Sequence, residues 1–213
     1  ELTALAGHAL RAGGPALRLD QARDAAGRPA SMPVIANLFG TEARVAAGLG
    51  VTPDKVDALG EFLADLREPT PPRGARDVLA SWPMLRSALD ARPKRVATGP
   101  VQAQALEGDA VDLRHLPIQT CWPGEPAPLV TWPLVITRPP DARPEDVTRT
   151  NTGVYRMQML GRNRLIMRWL AHRGGAAHHR LWAARGEPMP VAVAIGADPA
   201  MLLSAALPLP ETV

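Results

Sequence analysis

Carboxylates are absent from a long internal stretch of this 213-residue chain. No Asp or Glu occurs between Asp146 and Glu187, although arginines recur throughout that interval. These arginines are Arg149, Arg156, Arg162, Arg164, Arg168, Arg173, Arg180 and Arg185. A guanidinium group suits carboxylate or phosphate, and it is costly to bury in an apolar strand unless it meets an anion. We therefore expect part of this set to bind an anionic ligand.

Cysteine, tyrosine and phenylalanine are also scarce. Cys121 is the only cysteine, so these residues cannot form a disulfide among themselves, and a reducing cytosol is the expected compartment. The chain has one Tyr and two Phe, too few aromatic groups for bases to stack on, so we expect no nucleic-acid partner. No apolar run approaches the ~20 residues that a membrane-spanning helix requires.

Residues 1–95 predict an amino-terminal α/β domain. "ALRL" and "MPVIANLFG" have the composition of short strands, and apolar residues at helical spacing surround them. Thr41 is expected to cap one helix, and the order Thr52-Pro53-Asp54 is typical of the start of another. The chain opens inside a helical pattern without a Met, which suggests a fragment of a longer protein.

Residues 96–213 predict a second, β-rich domain. "RVATGPVQAQALEGDAVDLRHLPI" indicates a strand-turn-strand segment, and four later runs indicate one strand each: "LVTWPLVITR", "TNTGVYRMQML", "RLIMRWL" and "PVAVAIGA". "GGAAHHRLWAARG" and "DPAMLLSAALP" predict short helices, the second with Asp198 as its N-cap and Pro199 at its first position. The expected class is therefore α+β.

Three of the arginines have a sequence context that favours ligand binding. Arg156 falls within a strand, Arg168 stands beside Trp169, and Arg173 precedes two glycines at a predicted helix start. Glycines there would let backbone N–H groups approach a phosphate. The other arginines have simpler interpretations, because Arg162 and Arg164 flank a predicted hairpin turn and Arg180 and Arg185 fall on the solvent face of a helix. His178 and His179 point about 100° apart on that helix, which favours surface or core contacts over a metal site.

Several long segments resemble the UbiD decarboxylases, in particular the 3-polyprenyl-4-hydroxybenzoate decarboxylases. They are "TCWPGEPAPLVTWPLVITR", "NTGVYRMQMLGRNRLIMRWLAHRGGA" and "MPVAVAIGADPAMLLSAALPLP", with "RAGGPALRL", "MPVIANLFGT" and "PPRGARDVL" earlier in the chain. The resemblance implies a split β-barrel, truncated here, that binds prenylated FMN, Mn²⁺ and, in many members, K⁺. It also implies an amino-terminal domain before the barrel.

The resemblance assigns roles to individual residues. Asn151 matches the family's metal-binding Asn, and Arg156 matches the arginine of its catalytic set. The residues that match its cofactor-contacting segments are Val154, Tyr155, Arg156, Arg168, Trp169, Leu170, Arg173 and Gly174. Some relatives use a His as a further metal ligand, but the aligned position here is a glycine. His172, His178 and His179 are therefore left out of the predicted metal site.

The implied activity is that of a carboxy-lyase in ubiquinone biosynthesis. It is the non-oxidative decarboxylation of 3-polyprenyl-4-hydroxybenzoate to 2-polyprenylphenol. The implied partners are a polyprenylated aromatic acid as substrate, a flavin prenyltransferase as cofactor supplier and further copies of the full-length chain. The implied location is the cytoplasm, including the inner face of the cell membrane. The family's metal-binding Glu and catalytic acids are expected beyond Val213, so the 213 residues alone are expected to be inactive.

Three other functions remain open on the sequence. A relative of the same family could act on another aromatic or unsaturated acid. Split barrels also occur as flavin-binding or scaffold domains without decarboxylase activity, because a fold does not determine a function. The excess of arginine also fits a basic interaction module. Acidic catalytic residues in the full-length protein would distinguish the enzyme from both binding modules.

Overall fold

A computed structural model describes residues 2–24, 26–67, 86 and 96–207. Its helices are α1 (Leu2–Arg11), α2 (Glu42–Gly48), α3 (Val56–Arg67), α4 (Gly174–Ala184) and α5 (Pro199–Ala206). Its strands are β1 (Leu17–Leu19), β2 (Val34–Ala36), β3 (Leu129–Val130), β4 (Leu134–Thr137), β5 (Asn151–Val154), β6 (Met157–Gly161), β7 (Arg164–Met167) and β8 (Ala192–Ala194). No helix in these ranges has both the length and the apolar character that a membrane crossing requires.

The amino-terminal elements are a helix, a hairpin and two further helices. Strands β1 and β2 pair antiparallel, so this described part lacks the parallel sheet that an α/β domain would have. The predicted cap of α2 is confirmed, because the Thr41 side chain accepts a hydrogen bond from the backbone N–H of Arg44. The predicted domain boundary between residues 95 and 96 lies at the edge of a described range and stays a prediction.

The later strands form two antiparallel sheets of three strands each. One sheet has the order β3-β6-β7 and the other β5-β4-β8. The chain passes between them twice, at residues 131–133 between β3 and β4 and at Tyr155–Arg156 between β5 and β6. Within the described ranges both sheets are open at their edges, so the split barrel stays a prediction.

The two crossings correct two predictions. "LVTWPLVITR" was expected to form a single strand, but it forms β3 and β4, which belong to different sheets. "TNTGVYRMQML" was expected to form a single strand, but it forms β5 and β6, which belong to different sheets. The break falls where the Tyr155 ring folds back over its own strand, so close that a Cβ on Gly153 would lie 2.6 Å from it. Alternation across the break holds, since Gly153, Tyr155 and Met157 are buried while Arg156 is exposed.

The core lies around this crossing. Val130, Val135, Tyr155 and Met157 form a buried cluster that draws on both sheets. Ile118, Leu165, Met167 and Trp169 pack against its outside. The crossing from β5 to β6 is therefore fixed by the main apolar contacts of this half of the chain.

Residues 100–115 differ from the predicted strand-turn-strand. They form three separate turns of 3₁₀ helix, at Pro100–Gln102, Gly108–Ala110 and Leu113–His115. Gly108 has a φ of +52°, and the Asp112 side chain accepts from the N–H of Arg114 at 3.0 Å, so local turn contacts replace strand pairing. Hydrophobic periodicity alone could not distinguish strands from 3₁₀ turns here, because short apolar runs interrupted by Gly and Pro fit both.

Candidate functional site

An open cleft of about 1080 Å³ lies between α4 and α5, with β5 contributing one wall. Its polar lining is Thr148, Arg149, Thr150, Asn151, Thr152, Arg173, His178 and Ser204. Its apolar lining includes Val154, Leu170, Leu181, Met201 and Leu207. Small-molecule and cofactor sites commonly have volumes of about 300–1,000 Å³, so the cleft is large enough for a cofactor.

Six of the nine predicted site residues line this cleft. They are Asn151, Val154, Tyr155, Leu170, Arg173 and Gly174. Arg156, Arg168 and Trp169 are outside the lining. The structure therefore brings together the predicted metal ligand and one of the three singled-out arginines.

Arg156 and Arg168 lie together at one end of the β6–β7 hairpin. Met157, the first residue of β6, pairs with Met167, the last residue of β7. Arg156 directly precedes Met157, and Arg168 directly follows Met167. Both side chains are exposed. Arg156 directly follows Tyr155, and Arg168 comes two residues before Leu170; both Tyr155 and Leu170 line the cleft.

Contacts divide the eight arginines of the acid-free stretch into three groups. Arg149 forms two hydrogen bonds to Asp141, at 2.9 and 2.8 Å, and Arg162 lies 3.8 Å from Asp112, so carboxylates from outside the stretch meet these two. Arg180 and Arg185 donate to backbone carbonyls of Ala171 and Pro140. The side chains of the remaining four form no hydrogen bond or ion pair with any described residue: Arg156, Arg164, Arg168 and Arg173. These four guanidinium groups are open to an external anion.

Tyr155 occupies the junction between β5 and the start of α4. Its hydroxyl accepts the backbone N–H of Gly175 at 3.0 Å and the side-chain Nδ2–H of Asn151 at 3.4 Å. Its ring meets Trp169 edge to face with 4.9 Å between centroids, and Trp169 in turn stacks on His179 at 6.2 Å. Only 7% of Tyr155 is exposed, so its hydrogen bonds are shielded from water.

The two glycines that begin α4 have a different use from the one predicted. Gly175 directs its N–H to the Tyr155 hydroxyl, so that group is not available to a phosphate. A Cβ at Gly175 would collide with the Trp169 ring, and a Cβ at Gly174 would collide with the Asn151 amide. The glycines therefore allow the helix to pack closely on these side chains, and close packing explains the pair without a ligand.

His178 lines the cleft, although its sequence context favoured a surface or core contact over a metal site. Its Nδ1 lies 2.9 Å from the hydroxyl of Thr137, which is 1% exposed. This agrees with the predicted core contact, but the ring also lines the cleft. The signal was present in the sequence, because residues 174 and 178 are one helical turn apart and share a face. Ser204 and Met201 of α5 were also missed, since nothing in the sequence pairs α5 with β5.

A metal ion would find few ligands in the described residues. No group of three His, Cys, Asp or Glu side chains lies close enough there to hold one. Asn151 offers an amide oxygen at the cleft wall, next to the space that the missing Cβ of Gly174 leaves. This arrangement fits one ligand of a divalent cation, with the remaining ligands to come from elsewhere.

Family models match most of the chain. The model of the 3-octaprenyl-4-hydroxybenzoate carboxy-lyase Rift-related domain, UbiD, matches residues 93–213. The model of the N-terminal domain of the same carboxy-lyases matches residues 1–63. The chain belongs to the UbiD family.

Solved structures of UbiD-class enzymes share its fold. Vanillic acid decarboxylase from Sedimentibacter hydroxybenzoicus in its closed form is 19% identical, with a TM-score of 0.72 over 99% of this chain and 40% of that one. Apo 3,4-dihydroxybenzoic acid decarboxylase from Klebsiella pneumoniae is 21% identical, with a TM-score of 0.63 over 93% and 36%. An evolved dimeric UbiD-class enzyme from Pelotomaculum thermopropionicum, in complex with prFMN, is 22% identical, with a TM-score of 0.62 over 99% and 45%. The chain thus spans less than half the length of these structures.

Proposed function

We propose that this chain is the cofactor-binding part of a prenylated-FMN-dependent decarboxylase of aromatic acids. The observation that carries the proposal is the match of the UbiD domain model over residues 93–213, which contain both the cleft and the four unpaired arginines. Because the chain covers only part of its structural relatives, the activity is proposed for the full-length protein that carries it.

We place the substrate among 4-hydroxybenzoic acids with a substituent at position 3. The family model is described by such an acid, 3-octaprenyl-4-hydroxybenzoate, and two structural relatives are named for vanillic and 3,4-dihydroxybenzoic acid. The particular reaction that we propose is decarboxylation of 3-polyprenyl-4-hydroxybenzoate to 2-polyprenylphenol in ubiquinone biosynthesis. The apolar part of the cleft lining supports a substrate with an apolar substituent. A homo-oligomer is proposed by analogy with the dimeric relative.

The residues present fit the proposed cofactor and metal. Arg173, unpaired at the cleft wall, would meet the flavin phosphate, and Arg168 lies with Arg156 at the hairpin end. Apolar surface beside these arginines comes from two side chains. One is Trp169, whose ring packs against Tyr155, and the other is Leu170 in the cleft lining. Asn151 would supply one oxygen to Mn²⁺, and the resemblance assigns a Glu outside these 213 residues as its partner. K⁺ has no assigned ligand here.

Arg156 is the proposed catalytic residue of this part of the enzyme. Loss of CO₂ from an aromatic ring leaves an electron pair that the ring accepts poorly, and prenylated FMN, when bound, supplies the electron sink. The Arg156 guanidinium would bind the substrate carboxylate through two parallel hydrogen bonds and so fix its orientation. The same positive charge would lower the pKa of a neighbouring catalytic acid and so set its charge state.

Substitution of Arg156 tests this function. Lysine keeps the charge but loses the planar fork, so Arg156→Lys is expected to lower kcat by on the order of 10²-fold while flavin binding is retained. The measurements are CO₂ release from the three named acids and the ultraviolet–visible spectrum of full-length protein coexpressed with a flavin prenyltransferase. Arg164→Lys is the matched control, because Arg164 is also exposed and unpaired on the β6–β7 hairpin but is outside the predicted site.

Three results would count against the proposal. Wild-type turnover in Arg156→Lys would remove Arg156 from the catalytic set. An equal loss in Arg164→Lys would show that the effect is general to the hairpin. Flavin binding without CO₂ release from any acid would favour the alternative of a non-catalytic flavin-binding domain.

A further inference from the structure

The Tyr155 hydroxyl lies between the predicted metal ligand and the first turn of α4. It accepts from Asn151 Nδ2 at 3.4 Å and from the Gly175 N–H at 3.0 Å. We propose that Tyr155 is a positioning residue, whose hydroxyl orients the Asn151 amide so that its Oδ1 is presented to a divalent cation. This inference rests on the proposed function, because it takes Asn151 as a metal ligand.

An asparagine ligand requires a neighbouring group that fixes the orientation of its amide. The two ends of its amide have nearly the same shape, but only the oxygen can ligate a hard cation, while the nitrogen carries two donor hydrogens. An acceptor that holds Nδ2 therefore selects the orientation that leaves Oδ1 for the ion. In the structure the oxygen lies in the space that a Cβ at Gly174 would occupy, on the cleft wall. Any side chain at position 174 would displace it.

The acceptor itself is held rigidly. Tyr155 is only 7% exposed, and its ring meets Trp169 edge to face. The absence of a Cβ at Gly153 lets the ring lie against its own strand, and the Gly175 N–H fixes the hydroxyl from the other side. A hydroxyl fixed by backbone can transmit its position to a side chain, which is how partners beyond the ligands commonly tune metal sites.

The test is a set of variants of the full-length protein, titrated with Mn²⁺ alone and followed by the paramagnetic resonance of the free ion. Tyr155→Phe is expected to weaken Mn²⁺ binding about 10- to 100-fold, the range found when such outer partners are removed. Asn151→Asp presents oxygen at both ends, so orientation no longer matters. Adding Tyr155→Phe to Asn151→Asp is therefore expected to change the Mn²⁺ affinity by less than about 3-fold, a coupling that a purely structural role would not produce.

A further variant controls for stability. Trp182→Phe removes another aromatic side chain's hydrogen bond from α4, the 2.8 Å bond from Nε1 to the carbonyl of Arg138, without touching Asn151. It is expected to lower the melting temperature and leave Mn²⁺ affinity unchanged. Equal losses from Tyr155→Phe in the parent and in the Asn151→Asp variant, or an unchanged affinity in Tyr155→Phe alone, would overturn the proposal. If Asn151→Ala also leaves Mn²⁺ binding unchanged, Asn151 is not a ligand, and the failure lies in the proposed metal site instead.

Discussion

Glycines determine how closely the side chains of the cleft can approach one another. Gly153 and Gly175 each lie against the Tyr155 ring, and Gly174 lies against the Asn151 amide. None of the three has the positive φ that would require glycine for its backbone conformation. Their small size is what the structure uses, so an added methyl group would act through contact and not through backbone strain.

Gly175→Ala tests this at the residue scale. The new Cβ would meet the Trp169 ring and lie 3.0 Å from the Tyr155 hydroxyl, so we expect a loss of about 1–3 kcal/mol in the free energy of unfolding. Gly60→Ala is the control, because Gly60 lies inside α3 with no atom near its missing Cβ. Alanine there should raise stability by about 0.5–1 kcal/mol. Denaturant titration of both variants measures the free energies of unfolding. Stabilisation by Gly175→Ala would contradict the packing argument.

At the scale of elements, two helix starts with similar sequences differ in their capping hydrogen bonds. Thr41 and Thr52 both precede helical segments and both were expected to mark helix starts. Thr41 accepts a hydrogen bond from the Arg44 N–H at 3.3 Å, whereas Thr52 makes no side-chain cap bond and is followed by the 3₁₀ turn Pro53–Lys55. The same residue type therefore contributes differently at the two helices.

Two matched substitutions measure that difference. Thr41→Ala is expected to lower the free energy of unfolding by about 1 kcal/mol, the usual cost of a lost N-cap. Thr52→Ala removes no cap bond and should change it by less than about 0.5 kcal/mol. Urea titrations monitored by circular dichroism give both values. Equal effects would mean that the cap bond of Thr41 does not stabilise α2.

Helix positions were predictable from the sequence because their signals are local. Asp198 followed by Pro199 predicted the start of α5, and the Asp198 side chain does accept from the Ala200 N–H at 2.9 Å. The strands from Leu129 to Met167 were also found by pattern. The division of two predicted strands was not, "LVTWPLVITR" into β3 and β4 and "TNTGVYRMQML" into β5 and β6. Each division depends on packing between two sheets that the sequence does not pair.

The candidate site shows the same limit. The motif around Asn151 and the run from Leu170 to Gly174 located one wall of the cleft, since these residues are close in sequence, on β5 and up to the start of α4. The other wall, from Met201 to Leu207, comes from α5, whose contact with β5 is made only by the fold. Which arginines remain unpaired also depended on carboxylates far away in the chain, such as Asp112 for Arg162.

At the scale of the whole molecule, several contacts join the amino-terminal elements to the two sheets. Phe39 meets Trp132 with 5.4 Å between ring centroids, and Gly48 of α2 lies 3.2 Å from the Leu203 side chain of α5, measured from its missing Cβ. The Ser31 hydroxyl donates to the carbonyl of His115 at 2.6 Å. The Gly48–Leu203 contact thus connects α5, one wall of the cleft, to the amino-terminal half.

Asp112 makes a separate contact, between residues 112–115 and the β6–β7 turn, dependent on pH. Hydrogen bonds from Arg114 hold the pKa of Asp112 well below its ordinary value of 3.8, and Arg162 of the β6–β7 turn lies 3.8 Å away. Because the folded pKa is lowered, the carboxylate stabilises the protein above about pH 4, and the effect is lost as the pH falls through the folded pKa. Asp112→Asn should therefore be less stable than the parent near neutral pH, with the difference shrinking below about pH 4.

Thermal melts of parent and variant at about pH 7 and about pH 3 measure this difference. Asp20→Asn is the control, because it removes an exposed pair with Arg18 that joins no distant elements. A gap between parent and Asp112→Asn that stays constant over this range would show that the carboxylate charge is not what stabilises the turn.

Tyr155 is the only tyrosine among the 213 residues. Fluorotyrosine incorporated into this chain would therefore give a single ¹⁹F resonance. That resonance would come from the point where the chain crosses from the sheet of β5 to the sheet of β6. The phenol oxygen contacts the side-chain amide of Asn151 on β5 and the backbone N–H of Gly175 in the first turn of α4. The ¹⁹F chemical shift would therefore report on β5 and on α4 at the same time. The arrangement thus provides a spectroscopic label that can follow ligand entry without any change to the sequence.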